Sequence, residues 1–131
     1  MIHFFETVLT AGLNGKASAL RVLPVRVIST ASGSQAIQWL RKNHDIKALV
    51  STWTLPDMND GELICRIKAV RPWLPTVVLL DNPFHQCEVA ARRLGVSAVL
   101  SSDVQGEFLA HYMGQLLGCG LKLAAKESDY Q

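Results

Sequence analysis

Oxygen-bearing side chains are concentrated in one short stretch of the chain. Residues 57–62 read DMNDGE, so three carboxylates, an amide and a glycine directly follow an apolar segment. Such oxygens are the ligands that Ca²⁺ and Mg²⁺ prefer. The stretch could therefore be a metal-binding loop, a catalytic loop or the start of a helix. An EF-hand needs D-x-[DN]-x-[DN]-G and a Glu at the twelfth position, but here the glycine comes one residue early and Lys68 occupies the twelfth position. The EF-hand interpretation is rejected.

Length and composition limit the classes of protein that need to be considered. A chain of 131 residues with 49% hydrophobic and 18% charged residues suits one globular domain. Its net charge of +2 does not indicate a nucleic-acid partner, and no apolar run is long enough to span a membrane. The three cysteines lie far apart, without the spacing of a zinc site. We expect free thiols, a cytoplasmic location, no metal and no cofactor.

Hydrophobic spacing predicts five strands that alternate with five helices. The strands are short apolar or β-branched runs. The helices carry apolar stripes, and three of them begin with a capping pair, Ser32–Gln35, Asn59–Glu62 or Ser102–Gln105. The predicted strands are 2–5, 25–29, 47–51, 75–80 and 97–101; the predicted helices are 8–22, 82–94 and three that start at Ser32, Asn59 and Ser102.

Alternating strands and helices with short connections predict a parallel sheet that has helices on both faces. In such sheets the functional site lies beyond the carboxyl ends of the strands. We therefore expect the site at residues 6–7, 29–30, 52–54, 80–82 and 101–103. The acids at 57–62 are then interpreted as a capping box and solvated loop residues, not as metal ligands.

The segment 48–80 resembles the centre of bacterial response-regulator receiver domains. In that family a strand that ends in Asp is followed by an L-P loop, a glycine, a helix, an R-P-x-L-P segment and an apolar strand. The later stretch 90–96, AARRLGV, resembles the end of the family's fourth helix. The resemblance covers about residues 1–118, and 119–131 is expected to be a flexible tail. The matching residues are Leu55-Pro56, Gly61, Arg71-Pro72-Trp73-Leu74-Pro75 and 76–80.

The resemblance implies a fold and a site. The fold would be the flavodoxin-like (CheY-like) α/β fold, with a five-stranded parallel sheet of order 2-1-3-4-5. The site positions, however, carry the wrong residues for the family's aspartyl phosphorylation. Glu6 and Thr7 stand for the acidic pair, Thr52 for the phosphoacceptor Asp, Leu80 for the switch Ser/Thr, Ser102 for the Lys, Asp103 for the Pro that follows it and Val99 for the aromatic switch residue.

Phosphoryl transfer to a carboxylate requires the carboxylate nucleophile, a divalent cation and a cationic side chain that stabilises the transferred group. Losing almost all of these groups together argues against the chemistry. The sequence therefore predicts a pseudo-receiver, which is not an enzyme and acts in a signalling pathway through protein–protein interaction. The resemblance implies that partners or a second copy dock on the fourth helix, fifth strand and fifth helix, a face that would include Glu88, Arg92, Val99, Gln105 and His111.

Two alternatives stay open at this point. Glu6, Asp81 and Asp103 could together rebuild a metal or phosphoacceptor site, although helix-terminal roles explain the two aspartates more simply. Alternatively, the emptied strand-end pocket could bind a small ligand with the hydroxyls of Thr7, Thr30, Thr52 and Ser102. Trp53, next to the vacant nucleophile position, either covers that pocket or faces a partner, or else it packs at the edge of the sheet.

Overall fold

Five parallel strands form one sheet of order β2-β1-β3-β4-β5, as predicted. The computed structural model of the chain describes residues 6–81 and 85–118. The interior strand β1 pairs along its length with β2, and it pairs with β3 through a register shift between Thr7 and Val8. The strands are β1 (Glu6–Ala11), β2 (Val25–Thr30), β3 (Ile46–Thr52), β4 (Thr76–Leu80) and β5 (Ala98–Ser101).

In the described part of the chain, one 3₁₀ helix and three α-helices connect consecutive strands, and a fourth α-helix follows β5. Ser32 caps the helix that follows β2, because its hydroxyl accepts a hydrogen bond from the Gln35 N–H at 3.2 Å. The helix after β3 begins one residue beyond Gly61. The helices are the 3₁₀ helix (Asn14–Val22), α1 (Gly33–Lys42), α2 (Glu62–Val70), α3 (His85–Arg93) and α4 (Gly106–Leu117).

A hydrophobic cluster fills each side of the sheet. On one side α1 and α2 pack on the strands through Leu40, Ile64 and Ile67. On the other side the 3₁₀ helix and α4 pack through Leu20 and Met113. The two clusters bury both faces of the sheet, which is the layering typical of parallel α/β domains. None of the described helices is long and apolar enough to cross a membrane.

The beginning of the chain differs from the prediction. The helix predicted over 8–22 is wrong, since β1 occupies Glu6–Ala11 and the helical segment starts only at Asn14. The strand predicted at 2–5 lies outside the described residues. The spacing of Leu9, Leu13 and Leu20 suggested one helix, but Gly12 interrupts it with a φ of +79°. The apolar residues on its two sides therefore belong to different elements.

Three smaller predictions about the helices also need correction. Gln105, not Ser102, is the N-cap of α4, and its side chain makes no capping bond. The apolar stripes of the helices were expected to face the core, but two of their residues do not: Phe108 on α4 is 52% exposed and Val70 at the end of α2 is 68% exposed. The Asn82-Pro83 helix start and the tail 119–131 lie outside the described residues.

Candidate functional site

The carboxyl ends of the strands form the edge where the sequence places the site. Thr52 ends β3 and Leu80 ends β4, while Ser102 follows β5, so the structure brings these three predicted positions to the same edge. Leu80 is buried at 1% exposure and packs in the core on the α1–α2 side of the sheet. At this position the edge therefore offers an aliphatic side chain and no hydroxyl.

The predicted positions after the first strand are wrong. Glu6 and Thr7 are the first two residues of β1 and pair with the beginning of β2, at Val25 and Arg26. In a parallel sheet the beginnings of the strands lie at the edge opposite their carboxyl ends. The residues that follow β1 are Gly12 and Leu13. Neither of them carries a carboxylate.

Gly12 lies directly against Thr52, the residue that the resemblance places at the phosphoacceptor position. A Cβ atom on Gly12 would come 2.5 Å from the Thr52 hydroxyl oxygen and 2.9 Å from a methyl carbon of Leu55. The Thr52 hydroxyl itself donates to the Thr54 carbonyl oxygen at 2.9 Å. Thr52 is half-buried, and its Gly12 side is occupied by backbone and by the buried side chain of Leu55.

The loop between β3 and α2 is held by bonds among its own residues. The Thr54 hydroxyl donates to an Asp60 carboxylate oxygen at 2.9 Å, and the Gly61 N–H donates to the Trp53 carbonyl at 3.0 Å. At the start of α2 half of the predicted capping box forms, with the Asn59 N–H donating to the Glu62 carboxylate at 2.9 Å. The oxygen-rich stretch that suggested a metal loop is therefore a bonded turn and a helix start.

Trp53 is part of the core and does not stand over an open pocket. It is 9% exposed and belongs to the cluster on the α1–α2 side of the sheet. Gly61, with a φ of +76°, brings its Cα against the outer edge of the indole ring. Of the alternatives for Trp53, the structure supports packing.

Asp57 has a role that the sequence interpretation missed. It was expected to be a solvated loop residue, but its two carboxylate oxygens accept from the N–H groups of Gly33 at 2.9 Å and Ser34 at 3.0 Å. These backbone bonds at the N-terminus of α1, first that of Gly33, lower the pKa of Asp57. The loop after β3 is thereby fastened to the helix after β2. No spacing in the sequence connects residues 24 positions apart, so only the fold could reveal the contact.

Lys16 is a second residue that the sequence interpretation missed. Its ammonium group, from the 3₁₀ helix, donates to the carbonyl oxygen of Ser102. Ser102 is the residue that the resemblance places at the position of the receiver Lys. The positively charged Lys16 side chain therefore reaches the carboxyl ends of the strands from the 3₁₀ helix, but its ammonium group is bonded to the loop between β5 and α4.

The acids proposed for a rebuilt cation site do not meet. Asp81 and Asp103 follow β4 and β5 and are exposed, whereas Glu6 stands at the opposite edge of the sheet. The Ser101 hydroxyl donates to the Asp103 carboxylate. Among residues 6–81 and 85–118, no three His, Cys, Asp or Glu side chains are grouped in a way that could hold a metal ion.

The hydroxyls proposed to line a ligand pocket are also separated. Thr7 lies at the wrong edge, buried between β2 and β3. Thr30 donates to the Thr10 carbonyl at 2.7 Å, and Thr52 donates to Thr54. Two of the four hydroxyls are thus engaged with backbone oxygens and a third is remote from the predicted site.

The predicted partner-binding residues are distributed over three elements. On α3, Arg92 donates to Glu88 at 2.8 Å one turn away, in an exposed ion pair. Val99 is half-buried on β5, which is an edge strand. Gln105 precedes α4, and the His111 ring on that helix lies 3.2 Å from the Gln115 side chain. These contacts are local and leave each side chain partly or fully accessible.

Comparison with known proteins bears on the fold of the chain. No protein-family model matches the sequence. A "Chemotaxis protein CheY homolog" of Campylobacter jejuni is 25% identical over 103 residues, which are 77% of this chain and 79% of that protein.

Solved structures show the same fold. The signal receiver domain of an HD domain-containing protein from Pseudomonas fluorescens Pf-5 has a TM-score of 0.78 at 21% identity, over 88% of this chain and 96% of that one. The BeF3-activated receiver domain of DrrB, an OmpR/PhoB homolog of Thermotoga maritima, has a TM-score of 0.75 at 17% identity, over 88% of this chain and 99% of that one. The chain therefore has the fold of CheY-like response-regulator receiver domains.

Proposed function

We propose that this chain is a receiver-like signalling module that works through protein–protein contacts, independently of aspartyl phosphorylation, and that it is not an enzyme. The observation that carries the proposal is the chemistry of the strand ends. Thr52 stands where receivers have the phosphoacceptor, and Gly12 and Leu13 follow β1. A phosphoryl acceptor of this type requires a carboxylate nucleophile and further carboxylates for a divalent cation.

The arrangement of the neighbouring groups supports the same proposal. The Thr52 hydroxyl donates to a backbone carbonyl and has no general base among its hydrogen-bond partners. The buried Leu80 offers no hydroxyl to a phosphoryl group. The nearby ammonium of Lys16 is bonded to the Ser102 carbonyl. Each component of the transfer reaction is thus replaced or otherwise engaged.

The test is an amide NMR titration of the purified protein with Mg²⁺ and then with beryllofluoride. The receiver domain of DrrB, whose solved form is BeF3-activated, is the positive control. We expect no saturable shifts at residues 12–13, 52–54, 80–81 and 101–103. Saturable shifts in these segments, transmitted to α3 and β5, would show a working phosphorylation site and overturn the proposal.

We infer further that partner contact uses the face built by α3, β5 and α4, whether the partner is another signalling protein or a second copy of this chain. Two features support this face. Strand β5 is an edge strand whose four residues are all half-buried, and Phe108 on α4 is 52% exposed. A half-covered edge strand, and an exposed aromatic residue on the helix that follows it, are features that proteins commonly use for association.

Charge reversal on this face provides the test. The double variant Arg92→Glu with His111→Glu changes two accessible side chains and leaves the core residues Leu109 and Met113 in place. We expect it to abolish concentration-dependent self-association in sedimentation velocity, or binding to an isolated partner, with an unchanged unfolding midpoint. Undiminished association of this variant would contradict the assignment of the face.

A further inference from the structure

A groove lies between α1 and α2, on the side of the sheet that carries the larger cluster. Its volume is about 440 Å³, and its apolar lining comes from Ile37 and Leu40 on α1 and from Ile67 and Val70 on α2. Leu40 and Ile67 are buried, while Ile37 is half-buried and Val70 is exposed. The groove thus runs from the core to the surface and offers aliphatic side chains from both helices.

The charged groups that line this α1–α2 groove all have one sign. They are Arg41, Arg66 and Arg71, joined by the imidazole of His44, and no Asp or Glu is among the described lining residues. Arg66 also pairs with Glu62 at 2.6 Å, with 56% of its side chain exposed. Arg71 donates to the carbonyl oxygens at the end of α1, whereas Arg41 is exposed. An apolar floor with a basic rim fits a ligand that is apolar on one side and acidic on the other.

The exposed apolar surface continues past the end of the groove. Val70 is 68% exposed, and Trp73, three residues further on, is 74% exposed. A turn closed by the Leu74 N–H and the Arg71 carbonyl at 3.0 Å keeps Trp73 close to the end of α2. Large exposed apolar side chains next to an apolar groove are typical of protein-binding surfaces. This extension favours a peptide over a small molecule that would fill the groove alone.

We propose that the α1–α2 groove binds an amphipathic helix of a partner protein, which inserts aliphatic or aromatic residues and places Asp or Glu against the arginine rim. Grooves between two helices receive such segments through residues spaced at i, i+3 or i+4, and i+7. The lining residues lie in the last turns of α1 and α2. Because these helices run antiparallel to the strands, the groove lies toward the edge opposite Thr52. It is also separate from the α3–β5–α4 face, so this surface is additional to the one proposed above.

The probe is a display library of helical peptides of about 14 residues, or about four turns, with Asp or Glu fixed on one face and apolar residues varied on the other. Selected peptides are titrated into the protein and followed by fluorescence anisotropy and amide NMR. We expect the shifts at residues 37–44 and 66–73. The variants Arg41→Glu with Arg66→Glu, and separately Val70→Asp, should each weaken binding by about tenfold or more. All three positions are exposed, so the fold should persist.

A matched control separates the groove from general charge. The double variant Arg21→Glu with Arg93→Glu changes the net charge equally, but on the 3₁₀ helix and α3, and should leave the affinity within about twofold. Peptides with Lys in place of the acids should not bind. The proposal is overturned if no peptide is selected at the groove, if the basic peptides bind equally well, or if the control variant loses as much affinity. Saturation of the groove by dodecanoate, without any peptide binding there, would also overturn it in favour of a small amphipathic anion.

Discussion

Substitution of Gly61 by alanine is expected to destabilise the protein through two separate effects. Gly61 has a φ of +76°, a region that L-residues enter at a cost of about 1–2 kcal/mol. In addition, the new Cβ would come 2.5, 2.8 and 3.0 Å from the outer ring carbons of Trp53. Trp53 is packed in the core and has little room to move, so this overlap should add about 1–3 kcal/mol. The expected total loss of unfolding free energy is about 2–5 kcal/mol.

A double-mutant cycle can separate the two effects. Trp53→Phe removes the outer indole atoms that the new methyl group would overlap, so Gly61→Ala in that background should cost only the backbone penalty of about 1–2 kcal/mol. The coupling energy between the two substitutions is then about 1–3 kcal/mol. Urea unfolding followed by far-UV circular dichroism gives all four free energies without depending on the fluorescence of Trp53.

Gly95 supplies the control for the backbone effect. Its φ is +85°, but a Cβ at this position would have no atom within 4 Å. Gly95→Ala should therefore cost about 1–2 kcal/mol and show no coupling to Trp53→Phe. If Gly61→Ala lowers the unfolding free energy no more than Gly95→Ala does, the indole of Trp53 does not lie against Gly61. The description of the loop between β3 and α2 is then wrong.

Three further predictions concern the bonds around the site and the groove. The pKa of Asp57 is lowered in the folded protein from an ordinary 3.8, so the ionised carboxylate stabilises the fold above that pH, and this stabilisation is lost as the pH falls through the lower folded pKa. The difference in urea midpoint between wild type and Asp57→Asn should therefore narrow below about pH 4. A difference that stays constant with pH would refute the bonds from the Gly33 and Ser34 N–H groups to Asp57. Lys16→Met should increase amide hydrogen exchange at 101–104 and spare the sheet, whereas unchanged exchange would mean that the bond to the loop has no effect. Arg71→Met should lower the unfolding free energy by about 1–2 kcal/mol, because it removes the guanidinium that donates to the carbonyl oxygens at the end of α1. The control Arg41→Met, at an exposed position, should change the unfolding free energy by less than about 0.5 kcal/mol. Equal effects of the two substitutions would refute this role of Arg71.

The sequence predicted the later strands well because their residue types strongly favour β-structure. The runs that became β2 to β5 are apolar or β-branched, and the predicted ends differ from the structure by one residue at most. The first strand was misplaced because Glu6, Thr7 and Thr10 interrupt its apolar pattern. In the structure Thr7 and Thr10 are buried inside the sheet, and their backbone groups are paired on both sides. Residues 6–11 thus form a strand because they lie inside the sheet between β2 and β3, and this tertiary context outweighed their local sequence pattern.

The candidate site was predicted in part for the same reason. Thr52 was placed by its spacing from the L-P loop and Leu80 by the end of the fourth predicted strand, and both lie at the carboxyl ends of their strands as expected. The contacts of Asp57 with α1 and of Lys16 with Ser102 join segments far apart in the chain. Such pairs carry no local spacing, so periodicity and motif matching had no means of finding them.

The misplaced first strand bears directly on the proposed function. The prediction left one acid, Glu6, at the position of the receiver pair, and with it a route to a rebuilt cation site. Moving the strand end to Ala11 puts Gly12 and Leu13 there instead. A Cβ on Gly12 would come 2.5 Å from the Thr52 hydroxyl oxygen, so a carboxylate side chain does not fit at Gly12 unless Thr52 and Leu55 move. A carboxylate introduced at Thr52 alone would therefore find no carboxylate at Gly12 or Leu13 with which to share a cation. If the proposed function holds, building a phosphorylation site would require simultaneous changes after β1, at the end of β3 and after β5, and we expect the state of this domain to be set by what binds its surfaces.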